Sequence, residues 1–105
     1  MRTNEIYTAE ISWPGGSKRR PVLIIEEDDK SVSVFRIISK YKNKTNYIKH
    51  FYYPIVDWES SGLRKQSYID TKTVQYLDKT DISFYRVGVL SANDRQGLKE
   101  FLENL

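Results

Sequence analysis

Two basic clusters hold most of the chemistry that the first half of this chain offers. Lys18, Arg19 and Arg20 form the first; Lys40, Lys42, Lys44 and Lys49 form the second, interleaved with Tyr41, Asn43, Asn46 and Tyr47. Cations mixed with aromatic rings and amides suit a single-stranded nucleic acid, because cations meet phosphates and ring faces meet bases. A solvated lysine-rich loop has the same composition, so for residues 40–50 both readings stand at this point. Trp13 is placed either to stack on a base or to lie under its own loop, and His50 either contacts nucleic acid or is a plain surface residue. There is no cysteine, and His50 is the only histidine. Disulfide scaffolds, thiol nucleophiles, thiolate zinc sites and His-pair chemistry within one chain are thereby excluded. What remains is Arg, Lys, Asp, Glu, Ser, Thr and Tyr chemistry, with no cofactor expected.

The charge balance is uneven. Residues 1–50 carry ten basic and six acidic side chains, residues 51–105 seven and eight, so the basic character is N-terminal. With 105 residues, 39% hydrophobic and 30% charged, the chain has material for one packed core, and a single domain over 1–105 is expected. No apolar run approaches the roughly 20 residues of a membrane span. Met-Arg-Thr-Asn-Glu lacks the apolar stretch of a secretory signal. A cytoplasmic protein without a membrane partner is the expectation.

The elements that must position these residues read as mainly β. Asn4 to Ser12 is strand-like, and Trp13-Pro14-Gly15-Gly16-Ser17 predicts a flexible basic loop after it. Pro21 to Ile25 is a short apolar run bounded by charges, which predicts a strand buried on both faces. Ser31 to Ser39 alternates, with Val32, Val34 and Arg36 on one side and Ser33, Phe35 and Ile37 on the other, predicting a second core strand. Residues 40–49 leave the sheet, and His50 to Val56 returns to it at an edge, since Pro54 cannot donate to a ladder. Asp57 to Leu63 has an N-cap residue at its start and Gly62 near its end, predicting one or two helical turns. Ser67–Leu77 and Ser83–Leu90 are further strands. Ser91 with Asp94 resembles a capping box, and Leu98, Phe101, Leu102 and Leu105 follow at helical spacing. The whole predicts a small SH3-like barrel or strongly curved sheet of five to six strands, with a short helix near 57–63 and a C-terminal amphipathic helix.

The residues also resemble a known family, the MazF/PemK (Kid-like) toxins of bacterial type II toxin–antitoxin modules. The likeness lies in Glu5-Ile6-Tyr7-Thr8-Ala9-Glu10, in the run from Trp13 through Lys18-Arg19-Arg20-Pro21-Val22-Leu23-Ile24-Ile25, and in Ile37-Ile38-Ser39. Asp57-Trp58, Gly62-Leu63, Tyr68-Ile69-Asp70 and Val87-Gly88-Val89-Leu90-Ser91 extend it. The resemblance implies an SH3-like homodimer that cuts single-stranded RNA without a metal, leaving a 2′,3′-cyclic phosphate and a 5′-hydroxyl, and that a partner antitoxin restrains. It places Arg20 at the family's catalytic arginine and Ser39 where a threonine is usual. Asp70 falls at the acidic position that PemK-like members use as a base, and Tyr68 falls where some of them carry a second arginine.

The chemistry is consistent with that assignment. Metal-free cleavage needs a group to take the 2′-hydroxyl proton, one to stabilise the phosphorane and one to help the 5′-oxygen leave. The planar, permanently charged fork of Arg20 matches two phosphate oxygens. Ser39 offers one hydrogen bond to a non-bridging oxygen, and Asp70 is an acceptor for the 2′ proton. Lys18, Arg19, Lys40, Lys42, Lys44 and Lys49 would line the groove, with Trp13 and His50 as further contacts. Phe51, Tyr52 and Tyr53 are expected as exposed aromatics that a dimer would cover. The alternative is a catalytically silent barrel of the same fold that binds RNA or a protein.

Overall fold

The computed structural model describes all residues from Met1 to Leu105. Six strands and two helices follow in the order β1 (Glu5–Trp13), β2 (Gly16–Glu27), β3 (Ser31–Ile38), α1 (Asn46–Lys49), β4 (Tyr52–Pro54), β5 (Tyr68–Asp78), β6 (Phe84–Val89) and α2 (Ala92–Glu103). All pairings are antiparallel, and the strands make one sheet in the order β4-β5-β3-β2-β1-β6. The sheet is not closed: β4 and β6 are its two edges. The mainly β fold with a C-terminal helix is as expected, in the open-sheet form.

Within β2, Val22, Leu23 and Ile24 are buried on alternate faces, as the apolar run predicts. Leu23 faces a cluster with Ile6, Phe35, Ile37, Tyr53, Ile55, Ile69, Leu90 and Leu98, whereas Val22 and Ile24 face a second cluster with Ala9, Ile11, Val32 and Val34. Helix α2 covers the first cluster. Ser91 caps it by accepting a hydrogen bond from the Asp94 amide at 3.1 Å, as the capping pattern predicts. Leu98 is buried and Phe101 meets the Tyr53 ring edge-on at 5.7 Å, but Leu102 and Leu105 are exposed, so the apolar stripe is narrower than its sequence spacing. Asp94 itself is completely buried. Its carboxylate accepts hydrogen bonds from the Tyr53 hydroxyl at 2.7 Å and from the Val56 and Asp57 amides at 2.9 and 2.8 Å, which satisfies a charge that burial would otherwise oppose.

Four local expectations are corrected. The loop expected at Trp13–Ser17 is a tight hairpin: Trp13 pairs with Gly16, and the ladder runs on without interruption to Ile6↔Leu23. Pro14 followed by Gly15 at φ 92° is turn chemistry that needs only two residues, so Ser17, Lys18, Arg19 and Arg20 lie in β2. The helix expected near 57–63 is a single hydrogen-bonded turn, with Ser61 N donating to Asp57 O and Leu63 N to Trp58 O, and Gly62 at φ 90° stopping it. The regular short helix is instead α1, inside the lysine-rich stretch, where the Thr45 hydroxyl accepts from the Ile48 amide. Finally, Tyr52 and Tyr53 are buried, because β4 turns one ring toward Asp70 and the other beneath α2. The exposed rings are those of Trp13, Tyr47, Tyr76 and Tyr85.

Candidate active site

The candidate residues are positioned by the register of β2, β3, β5 and β4. Val22 pairs with Arg36, Arg36 with Asp70, and Asp70 with Tyr52, so these four side chains form one row on one sheet face. The next row toward the strand ends is Ile38, Tyr68 and Pro54. Arg20, two residues before Val22, shares that face by alternation. Pro21 has no N–H to give, and the β2–β3 ladder begins only at Val22. Arg20 therefore stands beyond the ladder, paired through its backbone with Ala9 of β1 alone, exposed, and without a hydrogen bond or ion pair.

Ser39 follows directly on β3, half-buried at the same end. With Lys40, Tyr41, Lys42, Gln66 and Tyr68 it lines an open groove of about 420 Å³. The floor of that groove is aromatic. Tyr68 stacks on Tyr41 with ring centroids 4.4 Å apart and planes 15° from parallel, and Lys49 Nζ lies 4.7 Å from the Tyr41 centroid. Lys49 is thus a packed cation over a ring, whereas Lys40, Lys42 and Lys44 are exposed. His50 is exposed at the C-terminal cap of α1, edge-on to Phe51 at 5.5 Å, and Lys72 Nζ lies 5.6 Å from the Tyr47 ring.

Asp70 is 5% exposed, and its carboxylate is held at both oxygens. Oδ2 accepts from Arg36 Nη2 at 2.8 Å and Oδ1 from the Lys72 amide at 3.0 Å. The Tyr52 hydroxyl beside this pair has its pKa raised, first by burial and then by the Asp70 charge, with Arg36 opposing. The structure therefore brings Arg20 and Asp70 to one end and one face of the sheet, leaves Ser39 at that same end just beyond β3, and adds Arg36, which sequence reasoning assigned no role. The available signal was a lone arginine on the side of β3 that otherwise carries the buried Val32 and Val34.

Arg19 points the other way. Its Nη1 donates to the Thr8 carbonyl at 3.0 Å, the Thr8 hydroxyl at 3.3 Å and the Ser83 carbonyl at 3.2 Å, and its guanidinium lies 4.6 Å from the Tyr85 centroid. It ties β2 to β1 and to the start of β6. Lys18 and Trp13 stand further along the hairpin arm, with Trp13 at 48% exposure and its indole against Gly16.

Comparison with known proteins agrees with this architecture. Solved structures that share the fold include a Mycobacterium tuberculosis toxin, MazF-mt6, at TM-score 0.70 and 24% identity, covering 95% of this chain and 93% of its own, and a structure described as an Mtb toxin, at TM-score 0.62 and 24% identity, covering 81% and 90%. No curated protein matches. A family model described as PemK-like, MazF-like toxin of type II toxin-antitoxin system matches residues 2–105. The chain belongs to this family of toxin–antitoxin toxins. No helix is long and apolar enough to cross a membrane.

Proposed function

We propose that this chain is a sequence-selective endoribonuclease that acts on single-stranded RNA in the cytoplasm, leaves a 2′,3′-cyclic phosphate and a 5′-hydroxyl without a metal, and is neutralised by a cognate antitoxin. The observation that carries the reading is Arg20: an exposed, uncommitted guanidinium where the β2–β3 ladder ends, at the same end of the sheet as the half-buried Ser39 and the groove it lines. In this reading the phosphorane receives paired N–H donors from Arg20 and one O–H donor from Ser39. Arg20 also stabilises the leaving 5′-oxygen by a guanidinium hydrogen bond, and water supplies the proton that makes it a hydroxyl. Asp70 takes the 2′-hydroxyl proton along a lone pair not used by Arg36 or the Lys72 amide. Lys40 and Lys42 hold the strand through its phosphates, and the Tyr41–Tyr68 platform presents a ring face to a base. Lys18 and Trp13 extend the contact along the hairpin, and Lys44, Lys49 and His50 border it on the other side. We further propose a homodimer as the working form.

The test is incubation of the purified chain with a long single-stranded RNA in excess chelator. Discrete fragments ending in cyclic phosphate support the nuclease; binding with the RNA left intact makes the chain a silent member of the fold and overturns the reading.

A further inference from the structure

Resting on that reading, we propose that Arg36 is a second phosphate-binding residue of the site, aimed by Asp70. Arg36 is the exposed member of the row Val22–Arg36–Asp70–Tyr52, and Arg20 lies diagonal to it across the β2–β3 ladder. Diagonal neighbours on one sheet face lie about 7–8 Å apart at the backbone, within joint reach of two long side chains. Two guanidinium groups from adjacent strands thus serve one strip of RNA backbone. The Arg36 side chain is 46% exposed, while its partner Asp70 is nearly buried. The ion pair engages Nη2 alone and leaves the remaining N–H donors without a protein acceptor. A surface arginine is usually a mobile cation with rotamer entropy to lose. This one is held at 2.8 Å by a carboxylate that is itself fixed through the Lys72 amide. Tyr52 flanks Asp70 on the side away from Arg36, and the free donors of Arg36 belong to a side chain open to solvent.

Binding of an uncleavable RNA strand, with each 2′-hydroxyl replaced by fluorine, tests this separately from cleavage. Arg36→Gln should weaken binding about tenfold or more, as for a lost charge-assisted hydrogen bond. It should also reduce the slope of log affinity against log salt by about 0.7, the increment for one phosphate contact on a single strand. Because Arg36→Gln leaves Asp70 without its counterion, the double variant Arg36→Gln/Asp70→Asn is measured alongside; it keeps the wild-type net charge and leaves no unpaired buried carboxylate. The same reduced slope is expected there. Asp70→Asn alone should weaken binding in the wild-type background and have no added effect once Arg36 is gone. An unchanged salt slope in both Arg36 variants overturns the proposal, whatever the cleavage result. Wild-type protein that binds the fluorinated strand with the expected slope changes but never cuts natural RNA refutes the nuclease and leaves Arg36 as a phosphate contact. No wild-type binding overturns both.

Discussion

Adjacent arginines in β2 point to opposite faces, and their substitution should separate stability from turnover. Arg20 has no partner in the protein, so Arg20→Ala should shift stability by no more than about 0.5 kcal/mol, the usual range for an exposed position. Its removal from the phosphorane should slow cleavage by about 10²–10³, or roughly 3–4 kcal/mol, as for one preorganised donor lost from a site of developing charge. Arg20→Lys should recover little, because a single ammonium cannot reproduce the fork. Arg19→Ala removes a guanidinium shared among the Thr8 carbonyl, the Thr8 hydroxyl and the Ser83 carbonyl, and its stacking on Tyr85. Taking about 1 kcal/mol for the hydrogen bonds net of solvation and about 0.5–1 kcal/mol for the exposed cation–π contact gives roughly 1.5–2 kcal/mol. In a domain of this size that lowers the melting midpoint by about 6–16 °C. Thermal unfolding followed by circular dichroism and single-turnover cleavage at saturating RNA read the two effects on the same preparations. Equal, mild cleavage losses with equal midpoints would refute the division of roles and reduce both residues to cations of the groove.

Gly97→Ala should destabilise the fold although alanine is the better helix former by about 1 kcal/mol, because the added Cβ meets the Tyr53 hydroxyl. A net loss of about 1–3 kcal/mol in a denaturant titration is expected, and a gain would show that α2 docks differently. Acid should weaken the protein. Glu5, Glu27, Asp28 and Asp78 all have pKa values lowered by hydrogen bonds, from the Arg2 amide, Lys79, the Ser31 amide and the Thr80 hydroxyl respectively as the largest causes. A lowered value means stabilisation that is present above the unfolded value and lost as pH falls through the folded one, so the midpoint should decline below about pH 4.5 and stay flat above it. Tyr53 shows the opposite sign: burial and the Asp94 hydrogen bond raise its pKa, so its contribution is full below pH 10.0 and lost as pH rises through the folded value. Ultraviolet phenolate titration should show a late component that Tyr53→Phe removes.

Much of the fold is legible because local pattern and tertiary demand agree. The Pro21–Ile25 run, the Ser31–Ser39 alternation and the Ser91/Asp94 cap each specify an element that packing then uses. The errors fall where they disagree. Trp13-Pro14-Gly15-Gly16-Ser17 has the composition of a loop, but β1 and β2 pair through it because only two residues are needed to turn. Helix α1 has four residues and no buried one, so no hydrophobic period announces it. At the site, Arg20, Ser39 and Asp70 are recognisable as types. That Arg36 meets Asp70, 34 positions away, follows from the register of β3 on β5, which no local spacing encodes. The opposite directions of Arg19 and Arg20 were implicit in strand alternation and were hidden by reading their segment as a loop.

The buried Asp94 carboxylate has a consequence for how the protein opens. One side chain of α2 holds the hydroxyl of β4 and the two amides that lead into the turn at residues 57–63, and Gly88 of β6 is packed against the Ser61 carbonyl of that same turn. Undocking α2 would strand those amides and the phenol without an acceptor, so helix, edge strand, turn and β6 belong to one cooperative unit. Local fluctuation is left to parts that Asp94 does not reach, among them the β1–β2 hairpin arm and the lysine-rich segment.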